Sequence, residues 1–229
     1  MNHIFDIDGT LTDIRKPILK KHKNLFLKWS KTHPFYIVTG SDYRKAIEQL
    51  GYEILSAALA VFTCNGGIGH IQGGHWYTKE WRMPTEVFDK LFLHLKNSQF
   101  RYKVGHHLED RHAMYNFSIP GRNCSKSIRE EYIEWDKKTN ERAEMVKDLN
   151  KIPGVNAVIG GQLGIDIMPP GLNKNIIIKD RLIQENQQNI FVCNESYPGG
   201  NDYELGKLVH KVINVTNIEQ TYDYIQNRP

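Results

Sequence analysis

Phe5-Asp6-Ile7-Asp8-Gly9-Thr10-Leu11-Thr12 directly follows a short apolar run that predicts a buried β-strand near residue 3. The two aspartates then stand at the carboxyl end of a strand, where parallel sheets bind ligands. Gly9 lets the backbone turn sharply after the strand, so that both carboxylates can face one pocket. Asp6 is then placed to be a nucleophile that forms an aspartyl-phosphate, and Asp8 to be a general acid and base. The alternative interpretation is an ordinary strand-to-turn exit with two solvated aspartates.

Alternating apolar and polar segments around this motif predict a parallel sheet with crossover helices. Ser41 or Asp42 is placed to cap the second helix, and Gly51 to terminate it. From residue 176 onward the alternation returns. The predicted elements are a polar helix over 14–31, a strand over 35–38, a helix over 43–51, an apolar segment over 58–63, and late strands over 190–193 and 212–215.

The middle of the chain has a different character and predicts an inserted α+β region. One amphipathic helix is expected over 84–97, with Val87, Leu91, Phe92 and Leu95 on one side. The other expected elements are a half-exposed strand over 114–119, a charged helical stretch over 125–149 that breaks near 136–140, and strands over 157–161 and 164–168. The predicted organisation is therefore a core domain made of residues 1–78 plus 171–229, and a cap domain made of residues 79–170.

Composition excludes several classes of protein. The 229 residues carry a formal charge of +4, without the basic tail or block that follows a nucleic-acid backbone. Three widely spaced cysteines, Cys64, Cys124 and Cys193, argue against a disulfide framework or a zinc site. No apolar run approaches the roughly 18 residues of a membrane span, and no secretory signal is visible, so we expect a cytoplasmic protein without nucleic-acid or membrane partners.

The Asp6–Thr12 motif resembles the first motif, DxDGT, of the haloacid dehalogenase (HAD) superfamily. That resemblance implies an α/β fold, a HAD-type Rossmann-like parallel-sheet core with an inserted α+β cap domain of type C2. Thr39, with Ser41 close by, stands where the superfamily binds the transferring phosphoryl group, and Lys174 is the candidate for the lysine that neutralises the phosphoaspartate. An anionic nucleophile that approaches a phosphoryl group needs a cation, and Mg²⁺ suits oxygen ligands. Its predicted ligands are Asp6, Asp8, Asn194 and Asp202.

Further segments resemble one family within that superfamily, the eukaryotic-type phosphomannomutases, in colinear order from Phe5 to about Glu204. Met114–Arg122 is similar to their MLNVSPIGR, with Ile119 and Pro120 in swapped order. Gly160–Ile167 is similar to their GGQISFDVF, and Pro198–Glu204 to their PGGNDHEI.

The family resemblance implies the interconversion of mannose 1-phosphate and mannose 6-phosphate, with a hexose 1,6-bisphosphate as activator. It places the protein in mannose metabolism and GDP-mannose biosynthesis, as a homodimer through the cap. By position, Arg111, Arg122 and Arg129 match the cap arginines that bind the distal phosphate. Arg15 matches an arginine near the catalytic loop, and Asp166 an acid that contacts sugar hydroxyls. Guanidinium groups suit this task because they bind phosphate bidentately and keep their charge.

Three departures from the family pattern bear on activity. Cys193-Asn194 replaces Gly-Asp, so one metal-binding carboxylate becomes an amide, with Glu195 or Asp202 nearby to compensate. Gly164 replaces a serine among the substrate contacts. Thr39 falls where the family usually has glycine.

Two other functions remain open from the sequence. A magnesium-dependent sugar-phosphate phosphatase would need the same Asp6, Asp8 and Lys174 and would let water resolve the aspartyl-phosphate. A catalytically weakened sugar-phosphate-binding protein is suggested by Asn194 alone.

Overall fold

The computed structural model describes residues 1–180, 182–183, 188–198 and 200–227. The chain divides into two units, each with its own core. The first consists of residues 1–78 and 172–229, and the second of residues 79–171. Gly171, which we predicted in the core domain, belongs to the second unit.

A seven-stranded sheet forms the centre of the first unit. Its strand order is β11-β10-β1-β2-β3-β4-β5, and β11 through β3 run parallel. The strands are β1 (Asn2–Phe5), β2 (Phe35–Val38), β3 (Ala60–Thr63), β4 (Ile68–Ile71), β5 (Gly74–Thr78), β10 (Asn189–Cys193) and β11 (Lys211–Asn214). The chain fills one side of β1 with β2 and β3 and returns later to fill the other side with β10. The carboxyl end of β1 therefore lies where the strand order reverses, which is the usual ligand site of such sheets.

Helices pack their apolar faces on this sheet. Phe5 and Phe35 of the strands pack with Phe26 and Trp29 of α1, all buried, in one aromatic cluster. Burial of such large side chains is the main driving force for this layer. The helices of this unit are α1 (Lys20–Trp29), α2 (Tyr43–Ala57), α6 (Ile176–Lys179), α7 (Tyr203–Gly206) and α8 (Ile218–Gln226), with a 3₁₀ turn at Cys64–Gly66.

The second unit is an α+β layer with its own core. A four-stranded antiparallel sheet has the order β6-β7-β9-β8 and packs against three helices around the buried Tyr132, Phe117 and Ile165. Its elements are α3 (Thr85–Asn97), β6 (Leu108–Asp110), β7 (Tyr115–Ser118), α4 (Lys126–Thr139), α5 (Glu141–Leu149), β8 (Asn156–Gly160) and β9 (Gly164–Met168). The predicted break in the charged helix falls at Asn140, whose φ of 54° is left-handed.

Several predicted elements differ from the structure. The first helix begins at Lys20 rather than near residue 14, because Pro17 disfavours a helix that runs through it and Leu19 is extended, with a ψ of 141°. Gly51 breaks α2 with a φ of 77°, as expected, but helical geometry resumes to Ala57. Sequence reasoning missed the antiparallel hairpin of β4 and β5 and the short strand β6. Phe92 was expected on the buried side of α3 and is 65% exposed.

Candidate active site

Asp6 lies one residue beyond β1 and continues its ladder. The Asp6 N–H donates to the Val192 carbonyl at 3.1 Å, and Phe5 pairs with Val192 in the parallel register. This register brings the end of β10, and therefore Asn194, beside the Asp6 loop. Asp6 is 4% exposed, so its carboxylate sits in a largely dry environment.

A tight loop after Asp6 replaces the strand, as the glycine predicted. Gly9 has a φ of 77°, and its N–H donates to the Thr12 carbonyl at 2.7 Å. A Cβ at Gly9 would lie 2.5 Å from the Asn194 Nδ2, so a glycine is needed for this close approach. The Thr10 hydroxyl is fully buried and lies 3.4 Å from the Asp6 Oδ2 and 3.2 Å from the Asn194 Oδ1.

Lys174 provides the buried positive charge of the site. Its ammonium donates to the Asp6 Oδ1 at 2.6 Å, to the Asp202 Oδ1 at 2.6 Å and to the Asn201 Oδ1 at 3.1 Å. These three bonds use all three donors of the ammonium, which explains how a lysine that is 1% exposed stays charged. The three buried isoleucines of α6 anchor the chain just after it.

Asp202 closes the loop that follows β10. It is fully buried; its Oδ1 accepts from Lys174, and its Oδ2 accepts from the backbone N–H of Glu195 at 3.1 Å. Both carboxylate oxygens are therefore engaged within the protein. This geometry makes Asp202 a holder of Lys174 and of the loop, and its role as a metal ligand stays a prediction. Gly199, which belongs to the same predicted motif, lies outside the described residues.

Burial dominates the electrostatics of the nucleophile. Burial is the largest effect and raises the pKa of Asp6 to about 7. The Lys174 ammonium lowers this pKa, whereas the Asp202 and Asp8 carboxylates raise it. For Lys174 burial lowers the pKa, but Asp202 and Asp6 outweigh it and leave the pKa above its usual value. A divalent cation would favour the ionised form of Asp6 that a nucleophile requires.

Cys193 and Asn194 stand where the family pattern has glycine and aspartate. Burial first, and then the charges of Asp202 and Asp6, raise the pKa of the Cys193 thiol, so it is a neutral packing group beneath the site. The Asn194 side chain is half-buried, and its Oδ1 faces the Thr10 hydroxyl.

Asp8 is half-buried and is held from one side. Its Oδ1 accepts from the Arg15 backbone N–H at 2.7 Å and from the Gln49 side chain at 2.9 Å. Arg15 adopts a left-handed φ of 60°, which turns its N–H toward the carboxylate. The loop thus brings Arg15 to Asp8 through its backbone.

Thr39 and Ser41 follow β2 at the same edge of the sheet. Thr39 is buried, its N–H continues the ladder to Phe62, and its hydroxyl oxygen accepts from the Ser41 N–H at 3.1 Å. Because that bond uses a lone pair, the hydroxyl hydrogen of Thr39 remains available to donate to a ligand.

Oxygen atoms suited to a hard cation meet around Thr10. The Asp6 Oδ2 and the Asn194 Oδ1 lie within hydrogen-bond range of the same hydroxyl, and both are ligand types that Mg²⁺ accepts. In the described part of the chain, no three His, Cys, Asp or Glu side chains group as a metal site. Lys174 binds both Asp6 and Asp202, and Asn194 provides an amide oxygen where the family pattern has an aspartate.

The second unit contains a connected cluster of charged and amide groups, which we call the arginine cluster: Glu109, Arg111, Asn116, Arg122 and Asp166. The Glu109 Oε2 accepts from Arg111 at 2.6 Å and lies 3.1 Å from Arg122. Arg122 also donates to the Asn116 Oδ1 at 2.8 Å, and the Asn116 Nδ2 donates to the Asp166 Oδ1 at 2.6 Å. The predicted residues Arg111, Arg122 and Asp166 are therefore brought together.

Two other predicted residues of this unit have different surroundings. Arg129, on α4, makes no ion pair with the arginine cluster among the described residues. Gly164 sits directly beneath the cluster, because a Cβ there would lie 2.8 Å from the Asn116 Nδ2.

Sequence reasoning missed three residues of the site: Thr10, Gln49 and Asn201. Thr10 and Asn201 stood inside the quoted motifs without an assigned role. Gln49 could have been found from the sequence, because it is a polar residue on the same helix face as Ala46 and Leu50. A polar side chain on a buried face needs a partner, and here the partner is Asp8.

Comparison with known proteins shows that the chain is similar to one protein family. A family model described as eukaryotic phosphomannomutase matches residues 22–227, so the Asp6–Thr12 motif lies outside the match and is separate evidence. A phosphomannomutase of Dendrobium officinale is 33% identical in an alignment of 211 positions that covers 88% of this chain and 83% of that protein. A phosphomannomutase of Oryza sativa subsp. indica is 34% identical in an alignment of 212 positions that covers 88% of this chain and 84% of that protein.

A solved structure extends the comparison to the fold. A haloacid dehalogenase-like hydrolase from Bacteroides thetaiotaomicron matches with a TM-score of 0.62 at 12% identity, over 99% of this chain and 98% of that one. At this identity the likeness concerns the fold alone, and it confirms the predicted HAD-type α/β fold.

Proposed function

The chain belongs to the eukaryotic phosphomannomutase family, and we propose that it interconverts mannose 1-phosphate and mannose 6-phosphate through an aspartyl-phosphate on Asp6. The observation that carries this proposal is the buried Asp6 carboxylate at the end of β1, held at 2.6 Å by the equally buried Lys174. A carboxylate beside a fixed ammonium is suited to accept a phosphoryl group, because the cation offsets charge on both partners.

The reaction has two balanced halves. Asp6 attacks the phosphorus of a hexose 1,6-bisphosphate, the bond from phosphorus to the sugar oxygen breaks, and Asp8 gives that oxygen its proton. The hydroxyl of a hexose monophosphate then attacks phospho-Asp6 and yields its proton to Asp8. The bisphosphate is regenerated, so it acts as an activator rather than a consumed reagent.

The other core residues bind the transferring group. Lys174 stays charged through its three hydrogen bonds and neutralises the phosphoaspartate. The Thr39 hydroxyl and the nearby Ser41 supply donors to phosphoryl oxygens.

The oxygen donors around Thr10 fit Mg²⁺, and we assign Asp6 and Asn194 as the side chains that would hold it, whereas the Asp8 carboxylate is assigned to proton transfer. When bound, Mg²⁺ supplies charge that lets an anionic carboxylate approach an anionic phosphoryl group. Asp202 contributes indirectly through Lys174 and the loop at Glu195. Because Asn194 carries one negative charge less than an aspartate, we expect weak Mg²⁺ binding.

The arginine cluster is our proposed site for the phosphate that is not reacting. Arg111 and Arg122 now share one oxygen of Glu109, and a phosphate dianion offers them more acceptor oxygens than that carboxylate does. Asp166 and Asn116 provide an acceptor and a donor for sugar hydroxyls. Arg129 of the second unit and Arg15 of the first unit stay predicted phosphate-binding residues.

We propose a homodimer through the second unit. Phe88, Phe92 and Leu93 of α3 are 43%, 65% and 52% exposed and form an apolar surface on one helix. Such a surface favours association with a second copy. Light scattering should give a dimer mass for the native chain and a monomer mass for Phe92→Glu; a native monomer would contradict the proposed dimer.

We propose a cytoplasmic location for the protein, within mannose metabolism leading to GDP-mannose. The three cysteines form no disulfide with one another, and two of them are buried, as is usual in a reducing compartment. Among the described residues, no helix is both long and apolar enough to cross a membrane.

A paired assay tests the function. Conversion of mannose 1-phosphate to mannose 6-phosphate is followed with Mg²⁺ and a trace of glucose 1,6-bisphosphate, and phosphate release is measured on the same samples. We expect activator-dependent isomerisation that Asp6→Asn abolishes. Phosphate release without isomerisation would instead identify a phosphatase, and the absence of both signals would favour a binding protein.

A further inference from the structure

Gln49 is a buried amide on an otherwise apolar helix face. It is 1% exposed and shares the inner side of α2 with the buried Ala46 and Leu50. An amide in such surroundings is unfavourable unless it forms hydrogen bonds. Its contacts therefore indicate what it does there.

Both hydrogens of the Gln49 amide are directed at the catalytic loop. The Nε2 donates to the Asp8 Oδ1 at 2.9 Å and to the Thr12 Oγ1 at 3.1 Å. The orientation of the amide follows from this network, because the Asp8 Oδ1 also accepts from the Arg15 N–H and therefore requires a donor, the Nε2, from Gln49. The Gln49 Oε1 is buried without a partner among the described residues, so the amide is held for its two donors.

The backbone of Gln49 fixes the same loop at a second point. Gly51 interrupts α2 with a φ of 77°, and the carbonyl of Gln49 accepts from the Ile18 N–H at 2.7 Å. The side chain therefore reaches Asp8 and Thr12 while the main chain holds Ile18. Gln49 connects α2 to both ends of the loop that carries Asp8.

The two oxygens of Asp8 consequently differ. The Oδ1 accepts from Gln49 and from the Arg15 N–H, whereas the Oδ2 has no hydrogen bond in the described part of the chain. We infer that Gln49 is a positioning residue that fixes Asp8 through Oδ1 and leaves Oδ2 to carry the proton. This inference rests on the proposed function of Asp8 as the acid and base of the mutase.

The chemistry assigned to Oδ2 is a proton transfer in each half-reaction. The proton on Oδ2 passes to the sugar oxygen as its bond to phosphorus breaks, and returns when the next hydroxyl attacks phospho-Asp6. A carboxylate that swings away from this line loses rate without losing substrate affinity. The expected signature is therefore a fall in kcat with KM almost unchanged.

Gln49→Met tests the inference, because methionine has a similar length and volume but no donor. We expect kcat for mannose 1-phosphate to fall about 10- to 100-fold, with KM within about threefold of the native value. Gln49→Glu is the second variant; it presents an acceptor to Asp8, and kcat should fall at least as far. Thermal unfolding of both variants identifies any loss that comes from misfolding.

A double-mutant cycle with Asp8→Asn separates positioning from general packing. If Gln49 acts through Asp8, adding Gln49→Met to Asp8→Asn should lower kcat by no more than about twofold. A second loss as large as the first would overturn the inference.

The leaving group gives an independent readout. A p-nitrophenolate leaves without a proton, so the first-turnover burst from p-nitrophenyl phosphate should be almost equal in the native chain and in Gln49→Met. A burst reduced as strongly as the turnover of mannose 1-phosphate would contradict a role through proton transfer. If the native chain neither turns over mannose 1-phosphate nor becomes labelled on Asp6, the proposed function fails and this inference fails with it. If the native chain is active and Gln49→Met has the same kcat, only this inference is refuted.

Discussion

Replacing Lys174 with methionine removes the ammonium that Asp6 and Asp202 share. The side chain of Lys174 is fully buried, and both carboxylates lie 2.6 Å from its nitrogen. Methionine fills a similar volume, so the loss comes from two buried carboxylates left without their cation. Breaking one partner out of a buried ion pair typically costs about 3–5 kcal/mol, and we expect a loss of that size for Lys174→Met at pH 8.

Calorimetry in the presence of a metal chelator measures this loss, because it resolves separate transitions if the two units unfold independently. For a chain of this length, 3–5 kcal/mol corresponds to a fall in Tm of roughly 6–20 °C. Asp202→Asn added to Lys174→Met removes one of the uncompensated charges and should restore part of the stability.

The matched control is Lys21→Met. Lys21 pairs with Glu219 at 3.1 Å, but the two side chains are 65% and 59% exposed, so solvent screens the pair and Lys21→Met should leave the Tm almost unchanged. If Lys174→Met loses no more stability than Lys21→Met, the account of Lys174 as the buried cation of the site is refuted.

Three further predictions concern other parts of the molecule. Burial, and then the charge of His75, lower the pKa of His70 to about 4, so between pH 4 and 6.5 the unfolded chain binds more protons than the folded chain. The free energy of unfolding should therefore fall by on the order of 2 kcal/mol from pH 7 to pH 5. Urea unfolding of His70→Phe should show a smaller fall over the same range. Asn194→Asp adds a carboxylate to the proposed metal site and should tighten Mg²⁺ binding at least about tenfold in a titration. Compared with the native chain, the variant should have a lower Tm in chelator and a larger rise in Tm when Mg²⁺ is added. Equal Mg²⁺ affinity would remove Asn194 from the proposed ligands. Gly121→Ala places a Cβ 1.6 Å from the Val104 carbonyl oxygen at a φ of 87°, so the second unit should lose about 3 kcal/mol or more; an unchanged Tm would contradict the described turn.

The sequence predicted the parts of the fold that depend on strong local patterns. The strands before Asp6 and Thr39 are short apolar runs, and burial in a parallel sheet requires such runs. The break at Asn140 was readable because the apolar pattern of the charged helix lapses there. The β4–β5 hairpin was missed because β5 lies at the edge of the sheet and is largely exposed, so it lacks an apolar pattern.

Contacts between residues that are distant in sequence limited how much of the site could be predicted. Lys174 reaches Asp6 across 168 positions, and no local pattern shows that Asp202 uses both of its oxygens on Lys174 and on the loop at Glu195. The hydrogen bonds of Asp202 to Lys174 and to the Glu195 N–H could therefore not be predicted, and its role as a metal ligand stays a prediction. Phe92 was wrongly predicted on the buried side of α3, because helical periodicity does not show which residues at the border of an apolar face are exposed.

The central claim, phosphoryl transfer through Asp6, is tested most directly by trapping the phosphoenzyme. The native chain is incubated with isotopically labelled glucose 1,6-bisphosphate and Mg²⁺, quenched in acid, and mapped by peptide mass spectrometry. The account predicts one labelled phosphoryl group on the peptide that contains Asp6, its transfer to added mannose 1-phosphate or mannose 6-phosphate, and its absence in Asp6→Asn. A label on another residue, or a label that persists in Asp6→Asn, would contradict it.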